Sequence, residues 1–300
     1  MYRMPKKKLG NADLVSKYVE HLISNKSVSE GTIKTYKNIG NNLPFNMLSS
    51  QPVIIRKLKS LYSNPNTLQL YLNMIILLRR HNNEETDKLI KLRNGLRDVI
   101  ITLRKSKLDT LDDTLPNRDY LIEQLDKLSA NRYLINYVMI YHGLRNKDIN
   151  LKFVKTIPDA KDENYILLKR NNALLYITDY KTEGKYGIKT IKIDNPRFLK
   201  ELKQMKLKDG DYLLPLKNGN KINSTTTFND KIVKLTIDGL GQNKIAKIVI
   251  KELLNKKSFD KLEQLSRDRG TSMEVLLKSY NLHIKAEPET KLSVIDEETK

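Results

Sequence analysis

The sequence contains no cysteine and no tryptophan, and it has only four histidines. Without cysteine the chain has no disulfide, no thiolate zinc ligand and no cysteine nucleophile. The histidines show no zinc-ligand spacing such as His-x-x-x-His; they are His21, His81, His142 and His283. No apolar run approaches the roughly 18 residues of a membrane span, and the first residues lack the apolar core of a signal peptide. We therefore predict an intracellular protein, in cytoplasm or nucleus, without a membrane partner.

Acidic residues are also scarce relative to basic ones. The 55 lysines and arginines outnumber the 35 aspartates and glutamates, which leaves a formal charge of +20 and a pI of about 9.7. Because this excess is spread along the whole chain, it favours a polyanionic partner and predicts binding to nucleic acid. A lysine-rich, solvated surface produced by biased codon usage is the alternative explanation.

The 300 residues are enough for two domains. Residues 1–104 are predicted to form the first, a helical domain that begins with an apolar face, namely Leu14, Val15, Tyr18, Val19 and Leu22. Further helices are expected over 29–36, 52–62, 66–78 and about 84–105. Basic residues at the positions expected to be exposed suit contacts to a DNA backbone: Lys34, Lys37, Arg56, Lys57, Lys59, Arg79 and Arg80.

The stretch 105–117 is polar, acidic and contains a proline, and we interpret it as a linker to a second domain over 118–285. Three apolar or alternating runs predict a three-stranded antiparallel sheet at 165–168, 173–177 and 188–193. Helices are expected before this sheet, at 119–128 and 131–142, and after it, at 196–205, 225–234, 243–254 and 259–267. The predicted fold is mainly α with this one small sheet.

The last predicted helix ends at Tyr280. Thr271 and Glu274 have the spacing of a capping box, and Gly270 supplies the turn before it. Tyr280 then shares a helical face with three apolar residues: Met273, Leu276 and Leu277. On this pattern alone, Tyr280 is also compatible with being the last core residue of an amphipathic helix.

The order of features in the second domain is more informative than any one of them. A helix ends in Gly143-Leu-Arg145 with Asp148 three residues on, a lysine lies in a turn of the sheet, a long helix follows, and a helix ends in Tyr280. In this order the chain resembles the tyrosine recombinase (integrase) family over essentially its whole length. The stretch Ser29–Tyr36 looks like the Thr-x-x-x-Tyr helix of that family's core-binding domain. The divergent integrases of viruses and mobile elements are the most similar type.

The resemblance assigns roles to individual residues. Tyr280, nine positions after Thr271, matches the nucleophile, and Gly270-Thr271 matches the Gly-His pair with threonine in place of histidine. The remaining matches are Arg145 (first catalytic arginine), Asp148 (supporting acid), Lys181 (proton donor to the leaving 5′ oxygen, with Lys185 as runner-up) and Asn243 (histidine of His-x-x-Arg). Three of them have simpler explanations: Arg145 as a helix C-terminal contact, Lys181 as a solvated turn lysine and Asn243 as a helix N-cap.

One match fails. Ala246 occupies the position of the second catalytic arginine, and the adjacent Lys247 faces about 100° away on a helix and lacks a bidentate fork. Three explanations fit: an arginine-to-alanine change made to trap a complex, a natural degenerate copy, or a slipped correspondence in which Lys247 substitutes. We expect an impaired site.

The resemblance implies a core-binding domain and a catalytic domain that close on double-stranded DNA as a C-shaped clamp. It further implies a 3′-phosphotyrosyl intermediate, no cofactor or metal, and a dimer to tetramer on DNA. Residues 286–300, acidic around Leu292–Ile295, would dock onto a neighbouring protomer or form an ordinary disordered tail. Two other functions stay open: a non-catalytic DNA-binding protein with the recombinase fold, and an unrelated helical accessory protein of RNA or DNA replication.

Overall fold

The chain divides into two compact units, Met1–Thr110 and Leu111–Lys300. The computed structural model describes residues 10–25, 28, 30–112, 114–158, 163–180 and 182–280. The side chains of residues 30, 104, 105, 107–112 and 278–280 are not part of that description. Lys181, His283 and the tail 286–300 lie outside the described residues. Among those described, no helix combines the length and the apolar content that crossing a bilayer requires.

The described part of unit 1 consists of helices: α1 Asn11–Ser24, α2 Glu30–Asn42, α3 Gln51–Leu61, α4 Pro65–His81 and α5 Asp87–Asp112. All five residues of the predicted α1 face are buried, which confirms that face. Helix α4 begins where Asn64 accepts hydrogen bonds from two backbone N–H groups and Pro65 supplies the fixed φ of a first turn. Most of its apolar residues are buried, but Leu70 and Leu77 are exposed.

Helix α5 differs from its prediction at both ends, since it begins at Asp87 and continues to Asp112. The first residues of the predicted linker are therefore helical. The polar composition after Lys105 suggested a loop, but the sequence offers no glycine or proline before Pro116 to end a helix.

Unit 2 combines helices with one sheet. Its elements, in order, are α6 Arg118–Asp126, α7 Ala130–His142, β1 Leu151–Val154, β2 Asn164–Leu168, β3 Ala173–Ile177, α8 Glu183–Tyr186, β4 Lys189–Ile193, α9 Pro196–Gln204, α10 Thr225–Leu235, α11 Gln242–Asn255, α12 Phe259–Arg269 and α13 Met273–Tyr280. Short 3-10 turns at Asn146–Ile149 and Ile237–Gly239 precede β1 and α11. The six helices predicted around the sheet are present with small shifts of their ends.

The described residues form a four-stranded mixed sheet in the order β1-β2-β3-β4: the three predicted strands are present and antiparallel, but the prediction missed a fourth. The missed strand, β1, pairs parallel with β2, whereas β2–β3 and β3–β4 are antiparallel. A four-residue run such as Leu151–Val154 is too short for its periodicity to distinguish a strand from a turn. Its pairing with β2 is a long-range contact.

Helices α7 and α11 lie in the middle of the unit 2 core. Residues 133–140 of α7 are all buried, and so are residues 245–250 of α11. A helix that is buried around most of its circumference is held on all sides by close packing. The end of α7 and the beginning of α11 are therefore fixed in position, and both carry residues of the candidate site.

Candidate functional site

The turn that follows α7 presents Arg145. Gly143 ends α7 with φ +62°, and its N–H donates to Met139 O at 3.1 Å. A Cβ at Gly143 would lie 2.9 Å from a methyl carbon of Leu265, so this position requires glycine for both its backbone and its packing. The chain then enters the 3-10 turn, where the Arg145 N–H donates to the Asp148 carboxylate at 3.2 Å. The predicted three-residue spacing thus brings Arg145 and Asp148 into contact.

Asp148 is fully buried, and its charge is balanced by a lysine that we did not predict. Asp148 Oδ2 lies 3.7 Å from Lys189 Nζ, at the start of β4. Burial raises the pKa of Asp148 and lowers the pKa of Lys189, while the attraction between the two opposes both changes. The buried carboxylate of Asp148 thus accepts from the Arg145 backbone and fixes the turn that presents this arginine.

Lys189 could have been found from the sequence. In the strand Lys189–Ile193, every second residue is buried, so that Lys189, Ile191 and Ile193 point into the core. A lysine in phase with two isoleucines is an inward-facing charge and needs partners. Its ammonium also lies 3.9 Å from the centre of the Tyr180 ring.

The C-terminal end of α12 gathers donors from three other elements. The last carbonyls of a helix have no partner within the helix and attract cationic donors. Here the carbonyl oxygens of Asp268, Arg269 and Gly270 accept hydrogen bonds from Lys189 Nζ (2.8 Å), Arg145 Nη1 (2.6 Å) and Thr182 Oγ1 (2.5 Å), in that order. Arg145 therefore contacts the C-terminus of α12.

The Arg269 side chain extends the same cluster. It is 1% exposed. Its Nη1 donates to Gly143 O at 2.6 Å, and its Nη2 donates to Asn243 Oδ1 at 3.3 Å. These bonds join residues 126 and 26 positions apart along the chain. We did not predict Arg269, although it lies seven and four residues after Leu262 and Leu265 and shares their buried helical face, whereas Arg267 is exposed.

His142 completes the contacts around the end of α12. Its Nδ1 lies 2.7 Å from Asp268 Oδ2, and Gln264 Nε2 donates to the other carboxylate oxygen at 2.6 Å. The histidine thus has a structural partner, as expected of a residue outside the catalytic pattern. The described residues contain no group of three or more histidines, aspartates or glutamates placed to hold a metal ion.

Helix α11 carries the three positions that match His-x-x-Arg. Gly241 is its N-cap, so the interpretation of Asn243 as a simple N-cap was wrong. Asn243 is exposed at the second helical position and accepts from Arg269. Ala246 and Lys247 are both buried, at 2% and 4% exposure. Lys247 lines a small cavity with Arg118 and Lys251.

The N-cap of helix α13 lies one residue later than predicted. Ser272, and not Thr271, is the N-cap: its Oγ accepts from the Val275 N–H at 3.2 Å. Thr271 instead donates its N–H to Ser266 O at 3.1 Å, which ties it to the end of α12. Leu276 is fully buried, in agreement with the predicted apolar face. Tyr280 is the last residue of α13, and its side chain is outside the described set.

Of the two predicted turn lysines, only Lys185 is among the described residues. It lies on α8, between β3 and β4, and it is exposed. Its ammonium is 5.3 Å from the centre of the neighbouring Tyr186 ring.

Six of the seven basic residues predicted to contact DNA in unit 1 are exposed: Lys34, Lys37, Arg56, Lys57, Lys59 and Arg80. Arg79 is a correction, since it is 3% exposed and points inward. Its guanidinium donates to Ser49 O at 2.7 Å and Glu85 O at 2.8 Å, so it is a structural residue of unit 1.

The comparisons with known sequences and those with solved structures give different results. No protein-family profile matches the chain, and no curated protein matches it. Among solved structures, the chain is similar to the crystal structure of XerA recombinase with 16% sequence identity, over 91% of this chain and 94% of that one, at a TM-score of 0.37.

Proposed function

We propose that this protein binds double-stranded DNA and carries out the strand cleavage and rejoining of a tyrosine recombinase, at a rate reduced by Ala246. The convergence of distant pattern positions at the end of α12 carries the proposal. Arg145 donates to the Arg269 carbonyl across 124 positions, and Arg269 in turn contacts Asn243. The next two residues, Gly270 and Thr271, lead into the helix that ends at Tyr280. The three pattern segments that contain Arg145, Asn243 and Gly270-Thr271 thus share one contact network.

The chemistry follows from what a phosphodiester requires. Its negative charge must be neutralised, its leaving alkoxide needs a proton, and a tyrosine with a pKa near 10 must lose its own proton. Arg145 would supply the first with its guanidinium, and Lys181, with Lys185 as the second choice, would protonate the leaving 5′ oxygen. Tyr280 would lose its proton to solvent, favoured by the positive charge of Arg145 and the lysine, and would form a bond to phosphorus as the bond to the 5′ oxygen breaks. Asn243 and Thr271 would donate hydrogen bonds to the non-bridging oxygens.

Ala246 is the reason to expect slow chemistry. An arginine fork donates two hydrogen bonds to the oxygens on which charge develops, and losing such a donor costs about 10²-fold or more in rate. Lys247 is buried next to Arg118 and Lys251, so it does not take that place.

DNA binding would begin at unit 1. Its exposed lysines and arginines would contact backbone phosphates, and this contribution is independent of base sequence and weakens with salt. Assembly as a dimer to tetramer on DNA, with docking of the tail 286–300, belongs to the same proposal.

A nicked suicide DNA substrate tests the cleavage step. Its leaving fragment diffuses away, so even a slow enzyme accumulates a covalent adduct that survives denaturation. We expect an adduct whose tryptic map places the DNA on Tyr280, and none from Tyr280→Phe. Absence of any adduct from both the wild type and Ala246→Arg, over a panel of duplex sequences, would overturn the catalytic proposal.

The burial of Ala246 and Lys247 favours a second candidate, a non-catalytic DNA-binding protein. With no second cationic fork on α11, the site would bind a phosphate without activating it. This function predicts salt-dependent DNA binding with no adduct under any condition.

A further inference from the structure

The guanidinium of Arg269 contacts α11, the helix on which the recombinase pattern lacks its second arginine. Asn243 and Ala246 are three residues apart on α11 and therefore lie on the same face of that helix. Arg269 Nη2 reaches this face from α12, at Asn243 Oδ1. Ala246, with its small side chain, is buried on this face. The second arginine is thus absent from α11, but a guanidinium from the end of α12 contacts the same helical face.

The other contacts of Arg269 connect this face to Arg145. Its Nη1 donates to the carbonyl of Gly143, two residues before Arg145, and its own carbonyl accepts from Arg145 Nη1. Arg269 thereby holds the turn that presents Arg145 and also the guanidinium of Arg145. At 1% exposure it does not itself meet a phosphate, so its effect passes through Arg145 and Asn243.

Burying a guanidinium is costly unless it is hydrogen-bonded, so a buried arginine is stable only where its hydrogen bonds are made. An aliphatic side chain of similar length would fill the space between α12, α7 and α11 without that cost. What it would not do is orient the Asn243 amide and the Gly143 carbonyl together, because a planar fork fixes two acceptors at once.

We infer that Arg269 is a positioning residue that replaces, from the end of α12, the arginine missing at Ala246, by holding Arg145 and Asn243 at one phosphate. This inference rests on the proposed function. It also makes Ala246 part of a rearranged site, in which the small side chain at 246 and the arginine at 269 depend on each other.

Moving the arginine from position 269 to position 246 tests this dependence. Four proteins are compared on the nicked DNA: the wild type, Ala246→Arg, Arg269→Leu and the double variant. We expect Arg269→Leu to form adduct at least about tenfold more slowly. Ala246→Arg should be no faster than the wild type, since two buried guanidinium groups on one face repel each other. The double variant should be at least about fivefold faster than Arg269→Leu, because the arginine then stands at the family's position.

A residue that merely stabilised the fold would not be rescued by an arginine on a different helix. Arg267→Leu is the matched control, since Arg267 lies two residues away on α12, is 58% exposed and pairs with Glu263. Its adduct rate should stay within about twofold of the wild type. The inference is wrong if Arg269→Leu keeps the wild-type rate, or if the double variant is no faster than Arg269→Leu.

Thermal unfolding of the same four proteins decides the inference even if the wild type forms no adduct. We expect the double variant to melt several degrees above the value obtained by adding the two single shifts. Additive shifts would show that positions 246 and 269 are independent and would overturn the inference. Coupled shifts without any adduct would instead sink only the proposed chemistry. Arg269→Lys, which keeps the charge and loses the fork, covers the case in which Arg269→Leu does not fold.

Discussion

Among the side chains that the structure describes, each unit contains one arginine that is almost completely buried, and the two differ in what they hold. Arg79 donates to carbonyls at Ser49 and Glu85, in the segments that flank α3 and α4 of unit 1. Arg269 donates to Gly143 and Asn243, at the end of α7 and the start of α11. Burial and carbonyl contacts are therefore common to a purely structural arginine and to one at a candidate site. The identity of the partners distinguishes the two.

The largest expected effect is on the free energy of unfolding, in a comparison of Arg79 with the adjacent Arg80. Arg79→Leu should lower the free energy of unfolding of unit 1 by about 3 kcal/mol, because several buried acceptors lose their donor. The exposed Arg80 is the matched control, and Arg80→Leu should stay within about 0.5 kcal/mol. Urea unfolding followed by circular dichroism measures both. Equal effects of the two substitutions would show that Arg79 is not the structural residue described here.

A smaller effect is expected at the residue that follows Arg269. Gly270 has φ +61°, and a Cβ there would lie 2.6 Å from a ring carbon of Tyr180. Gly270→Ala should cost about 2 kcal/mol, from the left-handed backbone together with the clash. Gly219 also has positive φ, at +84°, but faces open space, so Gly219→Ala should cost about 1 kcal/mol. Thermal melts of both variants test whether packing adds to backbone strain at the end of α12.

Glu163 is a carboxylate that, like the buried arginines, is held by several hydrogen bonds. Burial raises the pKa of Glu163, but hydrogen bonds from Tyr212, Lys221 and Lys152 outweigh it and lower that pKa to about 2. A lowered folded-state pKa stabilises the protein above the ordinary value of 4.5, and this contribution is lost as pH falls from 4.5 towards about 2.

Glu163→Gln should therefore be less stable than the wild type near pH 6, by about 1 kcal/mol, since solvent screens the partly exposed lysines. The difference should shrink as the pH approaches 2. Unfolding measured between pH 7 and 2 checks this, with the exposed Glu183→Gln as control. A difference that stays constant across this range would contradict the role given to Glu163.

The smallest effects are expected on the surface of unit 1, where the basic residues are exposed. Lys34 and Lys37 lie on α2, and each phosphate contact that is lost should reduce the slope of log K against log salt by about 0.9. Lys88 and Lys91 on α5 have the same spacing and are also exposed, so a Lys88→Ala, Lys91→Ala protein is the matched control. Titration of duplex DNA at several salt concentrations compares this control with the Lys34→Ala, Lys37→Ala protein. Equal slopes would remove α2 from the proposed DNA surface.

Much of the helical part of the fold could be predicted from the sequence, because amphipathic periodicity is a local signal. The buried face of α1 was confirmed, and most apolar residues of α4 are buried. The predictions that failed depended on contacts between distant segments or on single residues at helix ends. Strand β1 forms through pairing with β2, and the cap of α13 lies at Ser272, where two adjacent hydroxyl residues made the register ambiguous.

For the candidate site, the sequence by itself determined the pieces that neighbouring residues create. The turn after Gly143 sets Arg145 beside Asp148, and the periodicity after Gly270 places Tyr280 on α13, because both depend on a few consecutive backbone angles. Only the tertiary structure decided which charges lie inside. Arg79 and Arg80 are adjacent in the chain, yet one is buried and the other exposed.

Arg269 and Lys189 were likewise placed by tertiary contacts, although the alternation of β4 carried a hint of the latter. A buried cation is stable only where distant carbonyls and carboxylates meet to surround it. For these two residues the partners come from α7, α11 and the end of α12, so the packing of those helices determined where the cations could be buried.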